Sequence, residues 1–118
     1  METVLIIDDS AFMRMLIKRM LENNGLRIIG EAENGKVGVD LFRELQPDLV
    51  TMDITMPVLD GIQALKNILE LDPHASVVMI SAMGQETLVK EAVLAGAKGF
   101  LVKPLKPETI ATILNKVL

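Results

Sequence analysis

The amino-acid sequence predicts an α/β fold in which helices cover both faces of a five-stranded parallel sheet. Five short, almost purely apolar runs recur along the 118 residues, and helical periodicity lies between them. Each strand-and-helix unit takes about 20 residues, and parallel neighbours need crossover helices of this kind. Half of the residues are hydrophobic, which is enough for a chain of this length to bury a compact core. These observations together indicate a doubly wound sheet.

The predicted strands are the five apolar runs. A strand with one solvated face would alternate apolar and polar residues, so continuous apolar runs indicate parallel strands buried on both faces. The runs are Val4 to Ile7, Arg27 to Gly30, Leu49 to Met52, Val77 to Ile80 and Gly99 to Val102.

The first helix follows the first strand. Its apolar residues, Phe12, Leu16, Met20 and Leu21, recur at helical spacing and predict its buried face. The segment Asn23–Gly25 then supplies a stop, because asparagine and glycine tolerate left-handed backbone.

Four further helices are predicted from the same periodicity and from their ends. Pro47 and Pro73 end the second and third helices, because proline cannot continue a helix. Gly96 ends the fourth, and Pro107 suits the first turn of the fifth. The predicted ranges are Lys36 to Leu45, Gly61 to Leu71, Glu86 to Ala95, and a last helix from Pro107 that carries Ile110, Ile113, Leu114 and Val117.

Composition excludes several classes of function. The net charge is −4 and no basic run resembles a nucleic-acid-binding surface. Cysteine is absent, which excludes disulfides and thiolate metal sites. No signal-peptide pattern is present, and no apolar run reaches the roughly 18 residues of a membrane span. We therefore expect one cytoplasmic domain over residues 1–118 that binds neither nucleic acid nor membrane.

Polar residues follow four of the five predicted strands. Asp8 and Asp9 follow the first strand, Asp53 the third, Ser81 the fourth and Lys103 the fifth. The carboxyl ends of parallel strands meet at one edge of the sheet, and ligands of doubly wound folds bind there. The sequence therefore predicts one polar site at this edge.

Each of these residues, taken alone, has an ordinary structural explanation. Asp8, Asp9 or Ser10 could cap the first helix, and a single aspartate, serine or lysine after a later strand could be a turn, cap or solvated residue. Their joint placement on four strand ends makes a purely structural origin improbable. The functional interpretation therefore depends on all of the strand-end residues taken together.

The predicted site has the charge of a magnesium centre. Two carboxylates 4 Å apart repel each other by about 1 kcal/mol in water and about 4 kcal/mol at an effective dielectric of 20. A divalent cation removes this repulsion, and oxygen ligands without histidine or thiolate suit Mg²⁺. Lys103 can balance the charge of a phosphoryl group, to which Ser81 could donate a hydrogen bond.

Four segments carry a resemblance to a known family. They are LIIDDS with Asp8 and Asp9, VTMDITMPVLDG around Asp53, MISAMG with Ser81, and GFLVKP with Lys103. With these segments the whole chain resembles the receiver domain of bacterial response regulators, and most of all the single-domain chemotaxis regulators. The resemblance implies a flavodoxin-like (βα)5 fold with strand order 2-1-3-4-5.

The resemblance also implies a role for each residue of the site. Asp53 would be the phosphoacceptor, taking its phosphoryl group from the phosphohistidine of a sensor kinase or from a small acyl phosphate. Asp8, Asp9, Asp53 and the main-chain carbonyl of Thr55 would hold Mg²⁺. Lys103 would support the phosphoryl group.

A switch is implied by the same resemblance. Ser81 would support the phosphoryl group and rearrange together with Phe100, where many chemotaxis regulators have a tyrosine and this chain lacks the hydroxyl. A cis peptide bond is implied before Pro104. The responding surface would be the fourth helix, fifth strand and fifth helix, with Lys90, Lys98 and Lys106.

The implied partners are a sensor histidine kinase of the chemotaxis type, a flagellar motor switch protein or another output target, and a phosphatase. The protein would be a monomer and a regulatory phosphoacceptor that assists its own phosphorylation and dephosphorylation, not an enzyme. An alternative is a receiver excised from a longer regulator with a DNA-binding or methylesterase domain.

Three other classes fit the residues less well. A magnesium-dependent α/β phosphatase using Asp53 would need a second acid where Thr55 stands. A nucleotide or flavin binder would need a glycine-rich or hydroxyl-rich phosphate loop, and Asp8 and Asp9 would repel a phosphate without a metal. A pseudo-receiver would lack an acid or Lys103, and none is missing.

Overall fold

The structure, a computed structural model that describes residues 1–118, alternates five strands with five helices. The strands form one parallel sheet in the order β2-β1-β3-β4-β5, which confirms the predicted fold class and strand order. The strands are β1 (Thr3–Ile7), β2 (Arg27–Ala32), β3 (Leu49–Asp53), β4 (Val77–Ser81) and β5 (Gly99–Val102). The helices are α1 (Ala11–Asn23), α2 (Gly35–Leu45), α3 (Gly61–Leu71), α4 (Glu86–Ala95) and α5 (Pro107–Val117).

Side-chain caps begin three of the helices. Ser10, Asn34 and Asp60 each accept a hydrogen bond from the main-chain amide three residues later, at the starts of α1, α2 and α3. Pro107 begins α5, where its missing amide costs nothing. None of these helices is both long and apolar enough to cross a membrane.

Two apolar layers, one on each face of the sheet, form the core. Alternate residues of β1 enter different layers, with Val4 and Ile6 on one face and Leu5 and Ile7 on the other. Helices α1 and α5 cover the Val4 face through Ile17, Leu21, Ile110 and Leu114, and α2 and α3 cover the Leu5 face through Val39, Phe42, Ile62, Leu65 and Ile68.

Burial on both faces is confirmed for the central strands and wrong for the edge strands. Every residue of β3 and β4 is buried, whereas β2 is only partly buried. In β5 buried and exposed residues alternate, and Phe100 and Val102 are 44% and 41% exposed. An edge strand has one neighbour only, and α4 leaves this face of β5 open as one wall of a groove.

The buried stripe of α1 includes Leu21 and Met20 of the predicted residues but not Phe12. Ile17 and Leu21 are buried and Met13 packs against the same layer, but Phe12 is 66% exposed. One residue turns a helix by about 100°, so Phe12 lies well away from the face that meets the sheet. Its prediction as a core residue was wrong.

Candidate functional site

The structure brings the three predicted acidic residues together at the carboxyl edge of the sheet. Asp8 and Asp9 follow β1, and Asp53 ends β3, the strand that pairs with β1. Each residue offers a carboxylate oxygen, and these three oxygens lie within 4.8 Å of one another. Asp8 and Asp53 are buried, and Asp9 is exposed. Two acids therefore line the floor of the site and one lies at its rim.

Asp8 is held in place by its neighbours, yet one of its oxygens has no partner. Its Oδ1 accepts a hydrogen bond from the Ser10 amide at 2.8 Å, while the buried Oδ2 has none. Its main-chain carbonyl accepts a hydrogen bond from Arg14 Nη1 at 2.7 Å, and Arg14 Nε also bonds Glu31 at 3.1 Å. A buried unpartnered carboxylate oxygen is costly, and a bound cation would remove that cost.

Lys103 supplies the positive charge that faces this cluster. Its Nζ lies 3.8 Å from Asp53 Oδ1 and 4.0 Å from Asp8 Oδ2. The lysine follows β5, and the peptide bond between it and Pro104 is cis. One ammonium group faces three carboxylates, so the ionised site keeps a net negative charge that a divalent cation would neutralise.

The pKa values of the two buried acids reflect this crowding. Burial, followed by the charge of Asp8, raises the pKa of Asp53 to about 6, although Lys103 and the Thr55 amide act in the opposite direction. Burial also raises the pKa of Asp8. Asp53 is therefore still mostly ionised at pH 7, and its carboxylate is poorly stabilised without a cation.

The loop between β3 and α3 closes tightly over the end of β3. The Gly61 amide donates to the Ile54 carbonyl at 2.7 Å, and a Cβ atom at Gly61 would lie 2.0 Å from the Asp53 carbonyl oxygen. No residue with a side chain fits there without moving the backbone of Asp53. Thr55, in the same loop, is exposed at the mouth of the site.

Ser81 and Phe100 both line the groove between α4 and β5, which has a volume of about 480 Å³. The buried Ser81 hydroxyl is 3.5 Å from the Leu101 carbonyl oxygen, which is a long and therefore weak hydrogen bond. The Phe100 ring is exposed in the groove, so the two side chains sit on one continuous surface.

The three surface lysines do not lie together. Lys90 lines the same groove, and Lys106 lies beside Phe100 and Lys103. Lys98 instead precedes β5, at the amino ends of the strands. Its Nζ there donates to the His74 carbonyl and the Ser76 hydroxyl. The predicted grouping of Lys98 with the other two lysines was therefore wrong.

Two polar residues around the site were not identified from the sequence. Arg14 supports the Asp8 carbonyl from α1, and Gln85 joins the loops after β3 and β4 through Thr55 and Ala82. Both act through side chains that reach across to other elements. No local motif signals such contacts.

The chain is similar in sequence and in fold to known proteins. The model of the response regulator receiver domain family matches residues 4–115. The chain is 52% identical to the chemotaxis protein CheY of Thermotoga maritima over 97% of this chain and 95% of that protein, and 52% identical to CheY of Bacillus subtilis over 98% and 96%. It also resembles a crystal structure of the CheX-CheY-BeF3-Mg²⁺ complex from Borrelia burgdorferi, with a TM-score of 0.91, 42% identity, and coverage of 96% of this chain and 86% of that one.

Proposed function

The chain belongs to the response regulator receiver domain family, whose members work in phosphorelay signalling, and we propose that Asp53 is its phosphoacceptor. The observation that carries this proposal is the placement of a buried strand-end carboxylate between two acids and Lys103. We further propose that residues 1–118 act as one receiver domain.

The donor set fits Mg²⁺. Three carboxylates converge, histidine and cysteine are absent from the cluster, and the unpartnered Asp8 Oδ2 faces Lys103 and lacks a hydrogen bond. Asp8, Asp9, Asp53 and the Thr55 main-chain carbonyl would hold the ion. When bound, Mg²⁺ neutralises carboxylate charge and charge that develops on a transferring phosphoryl group.

Asp53 would act as the nucleophile of the transfer. One of its carboxylate oxygens forms a bond to phosphorus while the bond from phosphorus to the histidine nitrogen, or to the oxygen of an acyl phosphate, breaks. The leaving imidazole or acid keeps the electron pair of that bond. Lys103, within 4 Å of Asp53, would balance the charge of the phosphoryl oxygens. In this way the domain assists its own phosphorylation. In dephosphorylation a water oxygen would bond to the same phosphorus while the bond from phosphorus to the Asp53 oxygen breaks; the carboxylate keeps that electron pair, and the released phosphate takes the oxygen and the protons of the water.

The proposed switch couples Ser81 to Phe100. The Ser81 hydroxyl is held only weakly, so a phosphoryl group on Asp53 offers it a stronger, charged acceptor. Movement of β4 and its following loop toward that group would open space in the groove for the Phe100 ring. Phosphorylation would thus shift a population toward an arrangement in which the α4, β5 and α5 surface binds its target.

The partners are proposed from the relatives. The chain is 52% identical to two CheY proteins over nearly its full length, which supports a role in chemotaxis. A histidine kinase would then be the phosphoryl donor and a flagellar motor switch protein the target. The Borrelia complex of CheX with CheY supports a phosphatase of that kind as a further partner. No feature of the site favours a different class of function.

Incubation with Mg²⁺ and acetyl phosphate tests the proposal. The wild-type protein is expected to gain one phosphoryl group by intact mass, and Asp53→Asn none, since an amide is not a nucleophile here. Chelation of the metal should abolish the gain. An unmodified wild-type protein with every donor, or a modified Asp53→Asn, would contradict the assignment.

A further inference from the structure

Gln85 links the two loops that flank Asp53. Its Oε1 accepts a hydrogen bond from the Ala82 amide at 2.6 Å, and its Nε2 donates to the Thr55 hydroxyl at 2.8 Å. The residue occupies the N-cap position of α4 but makes no side-chain bond to that helix. A single carboxamide therefore joins the loop after β3 to the loop after β4.

The amide that Gln85 binds lies on the side of β4 that faces β3. In an extended strand, the carbonyl of one residue and the amide of the second residue after it point to the same side. The Ile80 carbonyl faces β3, where it accepts the Ile54 amide at 3.1 Å. The Ala82 N–H is therefore directed to the β3 side, just beyond the end of the strand that carries Asp53.

A phosphoryl group on Asp53 would compete with Gln85 for this donor. The group adds three acceptor oxygens and more than one negative charge at this edge of the sheet. Hydrogen bonds to a charged acceptor are stronger than the neutral bond from the Ala82 amide to the Gln85 carboxamide. Formation of the stronger bond requires the present one to break.

We propose that Gln85 is a positioning residue that stabilises the unphosphorylated arrangement by holding the Ala82 amide and the Thr55 hydroxyl. This inference rests on the proposed function, because it assigns Gln85 a part in the response to phosphorylation of Asp53. Loss of the carboxamide removes a hydrogen bond from the unphosphorylated state alone. The phosphorylated state, in which the Ala82 amide binds a phosphoryl oxygen, loses nothing.

The test compares Gln85→Met, which keeps the length of the side chain without its hydrogen bonds, with Gln63→Met. Gln63 is exposed on α3 and its side chain makes no hydrogen bond, so it gives a matched control. Titrations would measure Mg²⁺ affinity, and then beryllofluoride affinity at saturating Mg²⁺, from amide chemical shifts. For Gln85→Met we expect an unchanged Mg²⁺ affinity and a beryllofluoride half-saturation concentration about two- to tenfold lower.

Hydrogen exchange gives a second readout. The Ala82 amide should exchange faster in Gln85→Met than in the wild type without beryllofluoride, and at a similar rate with it. Thr55→Val, which keeps the main-chain carbonyl, should shift beryllofluoride affinity in the same direction by a smaller factor. This variant also keeps the inference testable if Gln85→Met does not fold.

The outcomes separate the two proposals. A wild-type protein that binds neither Mg²⁺ nor beryllofluoride would overturn the receiver function itself. A wild type that binds both, with equal or weaker beryllofluoride binding in Gln85→Met, would overturn the role of Gln85 and leave the receiver function intact. An equal effect of Gln63→Met would also overturn it.

Discussion

The surroundings of Asp53 disfavour the ionised form that its proposed role requires. The proposed nucleophile must be ionised at neutral pH, but burial and the neighbouring Asp8 raise the pKa of Asp53 to about 6. Lys103 offsets part of this effect, and no hydrogen bond stabilises Asp8 Oδ2. The metal-free site is therefore destabilising for the fold, which is a common consequence of concentrating charge for function.

Replacement of this carboxylate should stabilise the metal-free protein. The unfolded carboxyl ionises near pH 4, whereas the folded one ionises near 6, so the folded state binds more protons between these values. The free energy of unfolding of the wild type should thus fall as pH rises from 4 to 7. In Asp53→Asn the part of that loss that comes from Asp53 disappears, which makes the variant more stable at pH 7.5 by on the order of 2–3 kcal/mol and nearly equal at pH 4.

Urea unfolding followed by circular dichroism, with a chelator present, measures this difference. Glu44→Gln on the exposed side of α2 is the matched surface control: it keeps Asp53, so its stability should follow that of the wild type across the pH range. Added Mg²⁺ should reduce the advantage of Asp53→Asn. If that variant were no more stable than the wild type at pH 7.5, the buried charge would not be destabilising.

Among the elements, the loop between β3 and α3 carries the most constrained backbone. Val58 has a φ of 71° and is 77% exposed, and the Leu59 amide donates to the Pro57 carbonyl at 2.8 Å. These features define a γ-turn whose central residue is β-branched, an unfavourable conformation. The adjoining Gly61 then lets the chain return onto Asp53.

Val58→Gly should relieve this strain. Glycine adopts positive φ without a steric cost, while its greater freedom in the unfolded chain offsets part of the gain. We expect the free energy of unfolding to rise by roughly 0.5–1 kcal/mol, measured by urea unfolding. Val58→Ala, which keeps a Cβ atom, should gain less. A less stable glycine variant would mean that the turn is not strained by valine.

For the whole molecule, the carboxyl edge of the sheet and the groove between α4 and β5 are adjacent parts of one surface. Ser81 belongs to both, because it is the last residue of β4 and lines the groove that holds Phe100. The open face of β5 leaves that aromatic residue 44% exposed. A change at Asp53 can therefore reach the groove through the neighbouring strand β4.

In the wild type, beryllofluoride with Mg²⁺ should produce amide chemical-shift changes both near Asp53 and in the groove between α4 and β5. In Ser81→Ala we expect the changes near Asp53 to remain and those at Phe100 and Val93 to fall by at least half, since the hydroxyl that links them is gone. Heteronuclear NMR titrations measure both sets. Equal changes at Phe100 in the two proteins would contradict the coupling.

Much of the fold and part of the site could be predicted because the signals are local. Helices α3 and α4 begin and end where their apolar period, proline and glycine indicate, and each polar strand end follows an almost purely apolar run. The C-cap of α2 was harder to predict. Gln46, in left-handed backbone, caps this helix, and Pro47 only follows it. Such a cap depends on a conformation that glutamine seldom adopts.

The sequence by itself determined the alternation of elements and the edge at which Asp8, Asp9, Asp53, Ser81 and Lys103 meet. Only the tertiary structure decided that Asp8 is buried while Asp9 is exposed, that β5 has an open face, and that Gln85 bridges two loops. The physical reason is the separation along the chain of the residues that interact. Periodicity and chain-breaking residues act over a few neighbours, whereas burial and cross-loop hydrogen bonds depend on residues far apart in the chain.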